Sequence, residues 1–515
     1  MTTTDEHPPA EPPGDDSPGG RLVRAVEEGD YELAAQIATR HVWPLFDKDY
    51  ERLARAVGSL PDEVRERHPV LRLVHPATPA IARSTRAFDS ALFQSVVEDG
   101  SLSPQIVQVM QMIAARISGD TASALVFAKR IETALRDQSP GLDGVEGPTW
   151  FMHHQIGSTL LTVGATTVAL REFATARQIG EAIGSGDAVR SSVGRAALAH
   201  AFRGSLAEAE RALAHPQMQT PLTPAYVTAG LSTERVAAAL VALERLSPEA
   251  EALAGGLGDL DVVDVVWPFV MLVRARVELA LQRPFEALEV VSLAAASHVV
   301  HPGSLAADAM VALAAEAHLL ADDFAAARTV LEGVEKPGVL ARIAAARLAV
   351  QESDLDAART LIRSIASSPA LGPGQRAELM VLDAWRETLE LGRVGTDKAS
   401  RLVAAAVSGG HRRVFASVPA DIVDRLAARL PVDERPPFAA ALEGVPRRAS
   451  SARPVLTSGE QRALEALRNH DTVVQAAAAM HVSVNTLKTQ LRSLYRKLEV
   501  SSRDEALGEA SRLLL

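Results

Sequence analysis

Cysteine is absent from all 515 residues of the chain. Disulfides, cysteine–zinc sites and thiol catalysis are thereby excluded, and a reducing, cytoplasmic compartment is the expected setting. Aromatic residues are scarce, at 4%, so the core must be built mainly from Ala, Leu and Val. Ala and Leu are strong helix formers, whereas strands prefer aromatic and β-branched side chains. No apolar run reaches the roughly eighteen residues of a membrane span. No segment alternates convincingly with the period of two of a half-buried strand. A positive surplus is missing too: the net charge is −11, and a uniformly acidic protein is repelled by nucleic-acid phosphates. What the chain does have is 47% hydrophobic and 23% charged residues, the balance of a well-cored protein long enough for about two to four domains.

Residues 1–20, opening MTTTDEHPPAEPPGDD, are acidic and proline-rich. They lack the basic and apolar regions of a secretory signal and are expected to form a disordered tail. From 21 to 445 the sequence reads as helix after helix, with a recurring pattern: a turn, a bulky or polar residue, and Ala three positions later. It occurs as GDYELA (Tyr31, Ala34), GDTASA (Thr121, Ala124), GATTVA (Thr166, Ala169), GSLAEA (Leu206, Ala209), DDFAAA (Phe324, Ala327) and SDLDAA (Leu355, Ala358). Weaker copies sit at Pro284 with Ala287 and at Ser247 with Ala250. Successive copies are roughly 30 to 45 residues apart, the range of helical-hairpin repeats. Gly or Asp permits the tight reversal, and Ala lets the second helix approach the first. One such hairpin cannot bury its own apolar face, but a stack buries a continuous core. The expected class is all-α, with an α-solenoid body that receives a small-molecule or protein effector.

Residues 446–455, PRRASSARPV, disfavour helix and are expected to be a flexible linker. Beyond it, 456–515 reads as four short amphipathic helices. Thr457 is placed as an N-cap with Glu460 at the capping-box position. The first helix runs to about Arg468, with Leu464 and Leu467 inward. Asp471 or Thr472 caps the second, TVVQAAAAM, whose small side chains let the third helix cross closely. His481 and Val482 make the turn, and Ser483 caps the third helix, 484 to about 498. There Leu487, Leu491, Leu494 and Leu498 form an inward ridge. Asn485, Lys488, Thr489, Arg492 and Arg496 fall on the other side. Between 482 and 498 there are four basic residues and, through 498, no acidic one, so an acidic chain carries a local basic stripe. A fourth helix follows Ser501, Ser502 and Arg503 and includes Ala506, Leu507 and Ala510.

Such a helix suits a major groove. Arg and Lys donate to guanine O6 and N7, Thr meets a thymine methyl, and Asn485 can pair with adenine. Hydroxyls of Thr457, Ser483 and Thr486 suit phosphates, which set register without reading sequence.

Residues 456–507 closely resemble the LuxR-type helix-turn-helix, the output domain of LuxR/FixJ-class bacterial transcription regulators. The matching residues are Leu456, Thr457, Glu460, Ala463, Leu464, Ala477, Val482, Ser483, Thr486, Lys488, Thr489, Arg492, Arg496, Lys497, Leu498, Val500, Ser502, Arg503, Glu505 and Ala506. The resemblance implies that the third helix enters the major groove, with Lys488, Thr489 and Arg492 at positions that contact bases or phosphates. It implies a homodimer on double-stranded DNA, with Leu507 and Ala510 of the fourth helix as candidate dimer contacts. The chain departs from the family pattern at Gly459 (commonly Arg), Asn485 (frequently charged), Gln490 (commonly His) and Glu499 (commonly Gly). The body resembles tetratricopeptide-type repeats, and residues 60–74 are similar to the beginning of the helical sensor region of MalT-like regulators. Those regulators carry an ATPase module, but no GxxxxGK[ST] occurs here and no lysine follows a glycine.

Enzyme signatures are also missing. His153 and His154 lack HExxH spacing, His298 and His301 read as loop histidines, and no GxSxG or GxGxxG stands in a strand–turn–helix context. No catalytic residue, metal or cofactor is expected. Two functional readings follow: a sequence-specific transcription regulator, or a helical-repeat interaction scaffold whose terminal module binds a protein and not DNA. The uninterrupted basic face favours the first.

Overall fold

The structure is a computed structural model that describes residues 15–68, 70–71, 104–137, 148–258, 265–448, 456, 458–470, 472–498 and 500–512. Within them the chain is all-helical. No strand forms, and the one isolated bridge joins Pro419 to Arg448. No described helix is long and apolar enough to cross a membrane. Thr457, Asp471 and Glu499, together with most of the tail at 1–20 and positions 69 and 72–74 of the stretch at 60–74, lie outside the described residues.

The recurring pattern marks helix starts. Helices begin at Tyr31, Thr121, Thr166, Leu206, Pro284, Phe324 and Leu355. The copy at Ser247 starts its helix later, at Ala250. Ala34, Ala124, Ala169, Ala209, Ala287, Ala327 and Ala358 are all fully buried. Each sits one turn into its helix, where a larger side chain would overpack the neighbour at a cost of about 1–3 kcal/mol.

Six of these seven turns share one hydrogen-bond scheme. Two residues before each of those seven starts, the backbone is left-handed: glycine at 29, 119, 164 and 204, then Gln282, Asp322 and Ser353. In all of them but the turn at Gly119 the following amide reaches back to a carbonyl five residues earlier, as in Asp30 N–H to Ala25 O, Asp323 N–H to His318 O and Asp354 N–H to Ala349 O. This is the Schellman closure of the preceding helix. The same Asp then caps the next one: the side chains of Asp30, Asp120, Asp323 and Asp354 accept from Leu33, Ser123, Ala326 and Ala357 amides at 3.0 Å. One residue pair thus ends a helix and starts its neighbour, which keeps the reversal tight.

Consecutive helices pack against one another along the body, and the Pro373–Leu391 helix also meets Gly186–Arg203. Gly204 makes that approach possible. Its φ is +78°, and a Cβ there would stand 2.5 Å from the Gly374 Cα. Buried charge joins the same region. Glu378, Arg347, Glu244 and Arg413 are all at most 9% exposed. Arg347 donates to Glu378 at 2.6 Å, Arg413 donates to Glu244 at 2.6 Å, and a second Arg413 nitrogen lies 3.5 Å from Glu378.

The expected free linker from 446 is corrected at its start. Arg448 is 5% exposed and is bonded to Gln351 Oε1 at 2.8 Å, Leu319 O at 2.9 Å and the Asp322 carboxylate. A guanidinium offers five donors, and a composition-based reading of PRRASS cannot foresee that three acceptors far away in sequence await them.

Candidate nucleic-acid interface

The four C-terminal helices, Ser458–Asn469, Val473–Ala479, Val484–Lys497 and Arg503–Arg512, bury a core of their own. Ala463, Leu467, Ala476, Leu487, Leu494 and Ala506 are fully buried in it. The two alternatives for the second cap resolve in favour of Thr472, whose hydroxyl accepts from the Gln475 amide at 3.2 Å while Gln475 Oε1 accepts from the Thr472 amide at 3.2 Å. That reciprocal pair is a capping box.

The turn into the third helix repeats the body's closure. His481 N–H bonds to Ala478 O, Val482 N–H bonds to Ala477 O, and His481 is left-handed at φ +55°. Histidine tolerates this conformation better than most side chains. Ser483 then caps the next helix by accepting from the Thr486 amide at 3.1 Å, and the two hydroxyls are 2.7 Å apart.

At about 100° per residue, Leu487, Leu491, Leu494 and Leu498 share one arc, and each is at most 5% exposed. Asn485, Lys488, Thr489, Arg492 and Arg496 lie on the other side, and all five are exposed. Ser483 and Thr486 are exposed at the helix N-terminus. From Asn485 to Arg496 this face is about 16 Å long at 1.5 Å per residue. Thr489 donates its hydroxyl to Asn485 O at 3.0 Å, which turns its methyl and lone pairs outward, and Arg496 reaches Ser493 Oγ at 3.3 Å. Lys488 and Arg492 have no hydrogen-bond or ion-pair partner among the described residues. In the body, by contrast, Arg190, Arg347 and Arg413 are each paired with a buried or half-buried glutamate. Cations left unpaired in an acidic chain are free to meet anions elsewhere.

The structure brings together seven of the eight expected DNA contacts; Thr457 is the one outside the described residues. One expected dimer contact is corrected. Ala510 is fully buried in the module's own core, so no atom of it is left for a partner. Leu507 is half-buried against the same core. Both sit on the inward face of a helix whose small size hid which side faced in.

Two features escaped the sequence reading. Arg503 donates to Leu467 O at 2.7 Å and His470 O at 2.6 Å, closing the carbonyl end of the first helix from the start of the fourth. A cation at a helix C-terminus also complements the helix dipole. We expect Arg503→Ala to lower the module's stability by about 1.5–3 kcal/mol, the range for charged hydrogen bonds. Urea unfolding followed by helical circular dichroism checks this, and a loss below about 0.5 kcal/mol, the scale of neutral surface changes, counts against the clamp. The second feature is Gln490, whose amide oxygen is buried without a hydrogen-bond partner among the described residues.

No protein-family model matches the chain, and no curated protein is significantly similar to it.

Proposed function

We propose that this chain is a DNA-binding transcription regulator, in which an α-solenoid of helical hairpins receives a signal and a LuxR-type helix-turn-helix at 456–515 binds double-stranded DNA. One observation carries the reading: an exposed cationic face, whose Lys488 and Arg492 have no hydrogen-bond or ion-pair partner among the described residues, on a helix whose opposite side is a fully packed leucine ridge. The B-DNA major groove is about 12 Å wide and admits such a helix. Asn485, Lys488, Thr489 and Arg492 face base edges, Arg496 extends the cationic strip towards phosphate, and Ser483 and Thr486 sit beside the free amides of the helix N-terminus, where phosphate binds.

One module of this size contacts few base pairs. Two copies on half-sites about 34 Å apart supply the rest, so the DNA-bound form is a homodimer. The body's effector acts by binding one arrangement of the helices better than another. No nucleotide hydrolysis is invoked.

The test is binding of the full chain to a pool of duplex fragments, measured by gel shift across a salt series. The logarithm of affinity should fall linearly with the logarithm of salt, with a slope of about −0.9 per phosphate neutralised. Absent or salt-insensitive binding transfers the module to the other reading, a protein-docking end of a scaffold.

A further inference from the structure

The chain has only four tryptophans, four tyrosines and twelve phenylalanines, yet five of these twenty, Trp43, Phe46, Trp150, Phe151 and Tyr226, gather at one place. Trp43, Phe46, Phe151 and Tyr226 line a cavity of about 210 Å³ in the first half of the body. Ring centroids lie 5.0 Å apart for Trp43 and Phe151, 5.9 Å for Phe46 and Phe151, and 5.6 Å for Phe46 and Tyr226. Trp150 backs the group, 6.2 Å from Trp43 and 5.5 Å from Tyr226. Four aromatic walls would ordinarily close on each other, because interiors pack to crystal density. A cavity of about 150 Å³ already admits benzene, so this one has room for a ring with a short substituent. Ala225, Ala229 and Gly230 on the Pro224–Arg245 helix keep it open.

Its other wall is polar and one-signed. Arg116, His154, Ser191 and Arg195 line it, and the described lining contains no carboxylate. His154, Ser191 and Arg195 are 7%, 8% and 6% exposed. Arg116 is held in place by Gln155 Oε1 at 2.7 Å and Thr159 Oγ1 at 3.1 Å. His154 Nδ1 is buried and has no hydrogen-bond partner among the described residues. Burial, then the Arg195 and Arg116 charges, push the His154 pKa well below its ordinary value, so the ring is neutral and that nitrogen is available to a neutral or anionic partner. A larger cavity of about 560 Å³ shares Arg116 and is lined by Trp267, His298 and His301; it lacks both the four-sided aromatic wall and a buried, unpartnered polar atom.

We infer that the smaller cavity binds a one- or two-ring aromatic carboxylic acid, its ring between Trp43, Phe46, Phe151 and Tyr226 and its carboxylate against Arg195, with His154 Nδ1 completing the hydrogen bonds. Rings stack offset or edge-on at such spacings, and a guanidinium is the preferred partner of a carboxylate. This inference is independent of DNA binding. Tyr226 donates to Asp47 at 2.8 Å, which ties the Val42–Lys48 helix to Pro224–Arg245, and both helices contribute to the cavity wall, so an occupant touches both of the helices that the bond joins.

The experiment is titration of the full chain with benzoate, phenylacetate and indole-3-acetate, and with the amide of each, followed by calorimetry and tryptophan fluorescence. At least one acid should saturate below about 1 mM and bind at least tenfold tighter than its amide. Arg195→Gln should weaken it at least tenfold. Should that variant fail to fold, Ala229→Phe, which fills the mouth with little disturbance to the core, should abolish binding while leaving the helical circular dichroism intact. Equal binding of acid and amide, unchanged binding by Ala229→Phe, or no saturation by any of the three acids overturns the inference.

Discussion

Lys488→Ala and Arg492→Ala should each weaken DNA binding by about 5- to 150-fold, the equivalent of 1–3 kcal/mol for a lost base or phosphate contact. Both side chains are exposed and neither has a hydrogen-bond or ion-pair partner among the described residues. Their removal therefore takes nothing from the fold, and the melting of each variant should match the parent within about 0.5 kcal/mol. That separation lets a loss of affinity be read as a loss of contact. The salt series distinguishes the two kinds of contact. A residue on phosphate takes about 0.9 from the slope when removed and weakens all sequences alike, whereas one on a base relaxes specificity at one position. Leu491→Ala is the contrasting variant: Leu491 is 5% exposed in the ridge, and its truncation should cost about 2–5 kcal/mol of module stability. If K488A and R492A bind DNA as the parent does, with an unchanged salt slope, the exposed face is not the DNA-reading surface.

The largest stability effect is expected inside the body. Glu378→Gln should destabilise it by about 3–5 kcal/mol, because removing one charge of a buried ion cluster takes from Arg347 its carboxylate partner and leaves Arg413 with Glu244 alone. Glu378 is 2% exposed and faces both Arg347 and Arg413. Burial pushes its carboxyl up, but the charges of Arg413, Arg347 and Arg276 together outweigh burial and hold it well below the usual carboxylate range. The folded pKa therefore lies below the unfolded one. The carboxylate's contribution is fully present above about pH 5, clear of the unfolded glutamate value, and is lost as pH falls through the folded value. Guanidinium unfolding at a series of pH values measures both effects. The parent should lose stability on the acid side, and the Gln variant should start lower and show a shallower acid limb. A change under about 1 kcal/mol at neutral pH, with the acid limb unaltered, would mean that the cluster is screened and structurally incidental.

Much of the helical layout was legible because it is local. The scarcity of aromatics pointed to Ala- and Leu-built helices, and the described chain is all-helical. Turn chemistry placed helix starts at Tyr31, Thr121, Thr166, Leu206, Phe324 and Leu355, and Ala one turn later marked the buried contact. The copy at Ser247 slipped: its left-handed residue is Leu246, immediately before Ser247, and the helix begins only at Ala250. In the terminal module the Ser483 cap and the four-leucine ridge were set by spacing alone.

Tertiary structure decided what depends on residues far apart in the chain. Ala510 is a candidate contact by its place in a helix and a core residue by its burial, because a ten-residue helix with few apolar positions does not declare its inner face. Arg448 belongs to the body because Leu319, Asp322 and Gln351 present acceptors to it, and Arg503 clamps a helix that ends 34 residues earlier, at Asn469. His154 looked like one of an idle pair; it gains meaning only when Trp43 and Tyr226, 183 positions apart, close a cavity around it. The sequence by itself determined the helices, their caps and their buried seams, since those follow from hydrogen bonds and apolar contacts within a turn or two. Only the tertiary structure decided which charges are paired, that Ala510 is spent in a core and where a cavity remains, since each of these is a relation between surfaces that the chain brings together from a distance.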